Sequence, residues 1–300
     1  MIQRRLAFIV AGLLAGLAVP TAPAQILLDT LPRVEAQLLP ESSAIVQGGS
    51  TTIGLRLQIQ PGWHTYWKNP GESGLATTID WTLPQGVEAG PIQWPAPEFF
   101  SFSGLGGYGY SDEILLPIRV TVSDQAVQPD TADPANLTLR ARVDWLVCRD
   151  ICEPGGADLT LTLPVTTEPS RVQPVADHAE LFAAARNRLP RPLPDPEAAS
   201  ATRGDGIIEL RLTPPALPEL DETQGGVRFF PDRPMVIDMS ADQRVTPADA
   251  DGPWRLTMPA SPRGEPPTHL RGVLVFGPAT LGDAVLIDLP IHEYPDPDRP

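Results

Sequence analysis

Prolines occupy 37 of the 300 positions and glycines another 25. That density breaks any long helix and leaves short strands joined by turns as the way to bury a core in a chain of this size. The segments between the breaks have the matching pattern. From Thr51 apolar residues alternate with polar ones through Ile53, Leu55, Leu57 and Ile59, the period of a strand with one buried face. Thr77 to Thr82, Ile114 to Val122, Leu137 to Val147 and Ala157 to Val165 read as further strands, separated by turn signals such as Pro84-Gln-Gly86 and Asp133-Pro-Ala-Asn136. A second set follows at Ile207 to Thr213, Val227 to Phe230, Met235 to Met239, Trp254 to Met258, His269 to Phe276 and Ala284 to Ile291. The Pro-rich stretch between the sets holds one helical pattern, about Val175 to Leu189, with Asp177 as N-cap and Leu181, Phe182 and Ala185 on one face. The expected fold is all-β: two tandem immunoglobulin-like β-sandwich domains, 25–167 and 200–293, joined by a Pro-rich connector with a short helix, 168–199. A disordered tail is expected over 294–300.

The first residues carry a separate signal. Arg4 and Arg5 precede an apolar run from Leu6 to Val19, and the small residues Ala22 and Ala24 follow, which is the pattern of a secretory signal peptide over 1–24. Its removal takes away two arginines and no acid, so the formal charge of -15 becomes -17. Such a chain offers no basic surface for nucleic acid. The most apolar later stretch, Gly272 to Ile291, is broken by Pro278, Asp283, Asp288 and Pro290, so no membrane span is expected after signal removal.

Cys148 and Cys152 are the only cysteines, and they lie within five residues of each other. In an extended strand, positions four apart are separated by about 13 Å, whereas a disulfide needs Cα atoms within about 7 Å. The pair therefore requires a turn or a single helical turn, and Pro154 stops that turn from growing into a helix. The expected picture is a cysteine turn at the end of one strand, feeding straight into the next. A bridge closing so small a loop stabilises by only about 2 kcal/mol on the chain-entropy model, against nearly 5 for about a hundred residues. Such a bridge is a poor staple, and a short bridge on a turn is open to exchange with other thiols, although a structural role stays available. Arg149 and Asp150 oppose each other nearby, so the sequence does not rank the two thiols.

The surrounding motifs are more specific. Gly62-Trp-His-Thr-Tyr-Trp-Lys-Asn-Pro-Gly-Glu-Ser-Gly74, Ile92-Gln-Trp-Pro-Ala-Pro97, Tyr110-Ser-Asp-Glu-Ile-Leu-Leu-Pro117 and Asp144-Trp-Leu-Val-Cys148 to Cys152-Glu-Pro154 together resemble the N-terminal periplasmic domain of the thiol:disulfide interchange protein DsbD, especially its ScsB-type relatives. The resemblance runs in order over about Gln37 to Val165. Phe229-Phe-Pro231 and Leu270-Arg-Gly-Val-Leu274 resemble the second domain of ScsB-type ectodomains more weakly. DsbD itself spaces its cysteines further apart, so the pattern here follows the ScsB type.

The resemblance implies an immunoglobulin-like domain that passes electrons, as a dithiol, to periplasmic thioredoxin-fold proteins. It makes Cys152 the exchanging thiol and Cys148 the resolving one. It also implies an aromatic cap loop over the pair, for which Phe100, Phe102 and Tyr108 are the candidates, with ordinary sandwich-edge packing as the alternative. The full-length family carries its own membrane electron carrier. Here the electrons are expected from a membrane-embedded thiol carrier on a separate chain, and no cofactor is required.

Other signals point to packing or flexibility. Trp63, Tyr66 and Trp67 read as core or rim aromatics rather than a partner surface, and His64 as a structural histidine rather than a proton shuttle. The cluster Gly104 to Gly109 lacks the Lys-Ser/Thr of a phosphate loop and reads as a flexible tip. ScsB relatives are associated with copper tolerance, and Cys148, Cys152, Met235 and Met239 are soft ligands that suit Cu(I). No histidine stands at ligand spacing from another, so no metal site is assigned. Two rival functions remain open: a partner-binding module with an inert disulfide, and a copper-binding protein.

Overall fold

The computed structural model describes residues 32–102, 104–124, 135–213, 226–246, 253–277 and 283–294. The expected signal peptide and residues 295–300 of the expected tail lie outside these residues. Strands and one helix follow in chain order. The first eleven strands are β1 (Val34–Pro40), β2 (Ile45–Val46), β3 (Ser50–Ile59), β4 (His64–Gly71), β5 (Thr78–Thr82), β6 (Val87–Ile92), β7 (Glu98–Phe102), β8 (Leu105–Ser111), β9 (Glu113–Val122), β10 (Ala135–Cys148) and β11 (Cys152–Thr166). After helix α1 (Ala179–Asn187) come β12 (Arg191–Pro192), β13 (Ala199–Gly204), β14 (Ile207–Leu212), β15 (Val227–Pro231), β16 (Arg244–Thr246), β17 (Trp254–Pro259), β18 (His269–Phe276) and β19 (Asp283–Glu293). The fold is all-β, as the alternation requires.

The first half is a sandwich. One sheet has the order β1-β3-β9-β6, and the other has the order β2-β11-β10-β4-β8-β7 with β5 on the side of β10. Period-2 burial sets the register: Ile53, Leu55 and Leu57 pair with Ile118, Leu116 and Ile114 of β9, and all six point into the core. The opposite face of this sheet is also covered. Leu115 meets Phe182 and Ala185 of α1, and a Cβ on Gly54 would stand 2.4 Å from the Leu115 side chain, so the glycine makes room for that contact. Burying Phe182 contributes about 1.5–3 kcal/mol. The helix forms over the predicted apolar face. Asp177, however, sits in a preceding 3-10 turn and His178 takes the N-cap position without a side-chain capping bond.

In the second half, β15-β18-β19 and β13-β14-β17-β16 are joined through β19, which pairs with β18 up to Pro290 and then runs parallel to β13 from Ile291. Ile208, Leu210, Met258, Leu270, Leu274 and Phe229 fill the space between them. Strand β18 is buried on both faces from Val273 to Phe276. Leu274 and Phe276 face their own core, while Val273 and Val275 join the core of the first sandwich with Phe230 and Met239. A doubly buried strand is apolar without alternation, which is the character of Val273-Leu-Val-Phe276.

Two expectations are corrected. Met235 to Met239 is no strand: Met235 has φ 62, and Ile237 makes only an isolated bridge to Ala260. The run is apolar, but Val236 and Ile237 are both buried in succession, and the Asp238 carboxylate accepts from the Ser240 backbone N–H and turns the chain. Gly104 to Gly109 is no flexible tip either, because Leu105–Ser111 is a strand whose residues from Gly106 to Tyr110 are buried. Its glycines serve close approach. A Cβ on Gly109 would lie 1.8 Å from the Thr65 carbonyl oxygen, and one on Gly107 would lie 2.2 Å from the Phe100 ring.

Candidate functional site

The long hairpin of β10 and β11 stays in register from Ala135 opposite Val165 to Cys148 opposite Cys152. The intervening Arg149-Asp-Ile151 makes the turn, with the Arg149 N–H donating to the Ile151 carbonyl at 3.1 Å. The cysteines face each other across the last rung with Cα atoms 4.1 Å apart and are joined as a disulfide with an S–S distance of 2.02 Å. This is the strand-turn-strand placement that the spacing dictates. Beside the turn, Gly155 lies under the Trp145 indole, where a Cβ would come within 2.4 Å of the ring nitrogen.

The two sulfurs have different surroundings. Cys148 is 0% exposed, whereas Cys152 and the neighbouring Ile151 at the turn are exposed. The register places His64 of β4 opposite Cys148. Side chains two apart on a strand share a face, so Tyr66 follows His64 toward the hairpin. Its hydroxyl donates to the Cys148 sulfur at 3.0 Å and lies 3.8 Å from that of Cys152. Burial raises the Tyr66 phenol above its ordinary pKa, with a Ser73 hydrogen bond acting the other way, so the group remains a proton-bearing donor. Gly74, at φ 118, lies against the Tyr66 ring, where a Cβ would meet it at 2.3 Å.

The Phe100 ring of β7 stacks on His64 at a centroid distance of 3.6 Å and meets Tyr66 edge-on at 5.6 Å. It thus covers both side chains that flank the sulfurs. Tyr108, by contrast, is 0% exposed and turns into the core against Trp67, Phe99 and Phe230. The Phe102 side chain lies outside the described residues. Trp63 and Trp67 are core aromatics at 3% and 0% exposure. The Arg33 and Arg149 guanidiniums lie 4.8 and 5.1 Å from the Trp63 ring centroid, and each also pairs with an acid of the hairpin, Glu153 and Asp150 respectively. The rim of the turn therefore balances its charges. Tyr66 is the site residue that the sequence does not single out: it is buried, as a packing aromatic is expected to be, but its hydroxyl also meets the sulfurs.

Burial pushes the His64 pKa down to about 4, and its buried Nε2 has no hydrogen-bond partner among the described residues. The imidazole is neutral at pH 7. An unfolded histidine binds its proton near pH 6.5, so between that value and about 4 the unfolded chain holds more protons than the folded one. The stabilisation by neutral His64 is thus complete above about pH 6.5 and is lost as the pH falls toward 4. Urea unfolding from pH 7 to pH 4 is expected to show a shallower loss of stability in His64→Gln than in the parent protein. Parallel curves would show that the imidazole is not held neutral by the fold.

Among the described residues no group of three or more His, Cys, Asp and Glu converges on a point. Met235 is 57% exposed, and Met239 lies in the core against Gly71 and Gly106. No helix among the described residues is long and apolar enough to cross a membrane.

Comparison with known proteins agrees with this geometry. Residues 35–164 match the family model of the thiol:disulfide interchange protein DsbD, N-terminal. Among solved structures, the N-terminal periplasmic domain of ScsB from Proteus mirabilis is 21% identical, covers 87% of this chain and 94% of its own, and superposes with a TM-score of 0.59. That likeness extends the shared fold beyond the family match to the second sandwich. Tandem immunoglobulin domains A164-A165 of titin (12% identical, 87% and 99% covered) and the periplasmic chaperone SfaE (7%, 86% and 100%) superpose at only 0.20 and 0.21. Among curated proteins, none matches the chain.

Proposed function

We infer from the match of residues 35–164 to the family model of the DsbD N-terminal domain that the chain is a periplasmic thiol:disulfide oxidoreductase whose Cys148/Cys152 dithiol passes electrons to thioredoxin-fold proteins. The observation that carries this reading is the asymmetry of the pair: an incoming sulfur can reach exposed Cys152 but not Cys148, which is 0% exposed. A membrane-embedded thiol carrier returns the pair to the dithiol.

In the reduced protein the Cys152 thiolate attacks one sulfur of a partner disulfide. The new S–S bond forms as the partner's bond breaks, and the partner's other sulfur leaves as a thiolate and takes up a proton. Cys148, after losing its proton, then attacks the Cys152 sulfur, restores the intramolecular disulfide and releases the partner's second thiol. Two electrons and two protons pass to the partner. Tyr66 contributes by donating its O–H to the Cys148 sulfur, where negative charge stands in the resolving step. Phe100 covers His64 and Tyr66 on one flank of the pair and narrows the approach to the exposed Cys152 without closing it.

Mixing the reduced full chain with an oxidised thioredoxin-fold protein tests the reading. Thiol labelling is expected to show one partner disulfide reduced for each Cys148–Cys152 bridge formed. A partner that stays oxidised against excess reduced chain would leave the inert-bridge reading in its place.

A further inference from the structure

Phe99 and Phe100 are successive residues of β7, so their side chains leave opposite faces of the strand. Phe100 turns to His64 and Tyr66. Phe99 faces the second sandwich, where the Arg228 guanidinium of β15 lies 4.1 Å from its ring centroid. The pairing strand β8 makes the same connection, since Tyr108 meets the Phe230 ring edge-on at 5.0 Å. Met239 fills the space left by two glycines: a Cβ on Gly71 would stand 2.6 Å from its terminal methyl, and one on Gly106 would stand 3.1 Å from its Cβ. A buried hydrogen bond of 2.7 Å from the Asn69 side chain to the Pro231 carbonyl fixes β4 to the same strand of the second sandwich.

These contacts share one consequence. The back of the β7–β8 hairpin is packed by the second sandwich, and its front carries Phe100. A hairpin held at one edge by its neighbour β4 alone would be free to swing, whereas packing on its rear face fixes where its front residue rests.

We propose that the second sandwich is a brace for the cap: Arg228, Phe230 and Met239 hold the β7–β8 hairpin from behind and so keep Phe100 over the flank of the disulfide. They are positioning residues for the exchange reaction. The second sandwich thereby sets how readily the pair opens to another thiol, acting through Phe100 rather than on either sulfur. The proposal rests on the reading of Phe100 as the cap, and the experiment separates the two.

The rate at which glutathione reduces the Cys148–Cys152 bridge is measured on the oxidised full chain and its variants. Phe100→Ala is expected to accelerate reduction. Arg228→Ala, which removes a cation from an aromatic face, is expected to accelerate it about fivefold, and Arg228→Lys to restore the parent rate. In the Phe100→Ala background, Arg228→Ala is expected to add nothing, because both act through one ring. Phe230→Leu supplies a second, volume-conserving disturbance of the brace, with circular dichroism confirming that the fold persists. If Phe100→Ala accelerates reduction while folded Arg228→Ala and Phe230→Leu do not, the brace is wrong and the cap stands. An acceleration by Arg228→Ala that survives in the Phe100→Ala background also overturns the brace. No change with Phe100→Ala overturns the cap and the brace together.

Discussion

Cys148→Ala is expected to accumulate a stable mixed disulfide between Cys152 and a thioredoxin-fold partner, whereas Cys152→Ala forms none and transfers no electrons. The difference follows from where the two sulfurs sit. Cys152 begins β11 on the exposed side of the turn, and Cys148 ends β10 with no accessible surface. Without Cys148 the first displacement proceeds and the second has no nucleophile, so the covalent complex persists. Without Cys152 the remaining thiol is shielded by its own hairpin, by His64 opposite it and by the Tyr66 hydroxyl. Non-reducing electrophoresis with an oxidised partner reads both outcomes. A reversed pattern, with Cys152→Ala as the variant that traps, would mean that the hairpin opens before exchange and that the buried sulfur is the attacking one.

Tyr66→Phe is expected to slow the resolving step about fivefold, because the hydrogen bond raises the thiolate fraction of Cys148 while partly lowering its nucleophilicity, and to leave the first displacement nearly unchanged. In the disulfide the Tyr66 hydroxyl lies 3.0 Å from the Cys148 sulfur against a looser 3.8 Å to that of Cys152, so it is placed to donate to the Cys148 thiolate in the reduced protein, and a hydrogen bond to a charged group is worth about 1.5–3 kcal/mol. The substitution keeps the ring, which is 1% exposed and packed against Gly74 and Phe100, so the strand retains its packing. Rapid-quench kinetics separate the steps, because a slower resolution appears as a longer-lived mixed disulfide. Equal slowing of both steps would make Tyr66 a packing residue only.

The parts of this molecule that were legible in sequence are those with one buried face. β14 shows buried Ile208, Leu210 and Leu212 alternating with the polar Glu209 and Arg211, whereas β18 is legible at His269 and Phe276 through its apolar run rather than through alternation. The cysteine hairpin was legible for a different reason, since covalent geometry permits little else at that spacing. The strands around the site were not. In β4 the motif His64-Thr-Tyr-Trp-Lys-Asn-Pro-Gly71 has buried residues on both faces and shows no alternation. In β8 the glycines that let Phe100 and Thr65 approach resemble a loop in one dimension.

The junction between the sandwiches was hidden for a similar reason. Val273 and Val275 read as strand residues in the sequence, but their burial, together with Phe230 and Met239, in the core of the first sandwich depends on a surface far away in sequence. Tyr108 stands beside Phe100 as a cap candidate because the resemblance places the cap in the stretch from Glu98 to Tyr110. Period-2 geometry sends Phe99 and Phe100 to opposite faces, and Tyr108 lies with the former.

The central claim is that the bridge between Cys148 and Cys152 exchanges rather than staples, and its reduction potential tests that most directly. Equilibration of the full chain in glutathione buffers is expected to give a midpoint above about -300 mV, with oxidised and reduced forms interconverting freely. A midpoint below about -300 mV, with no exchange against any dithiol protein, would identify a structural disulfide and contradict the account.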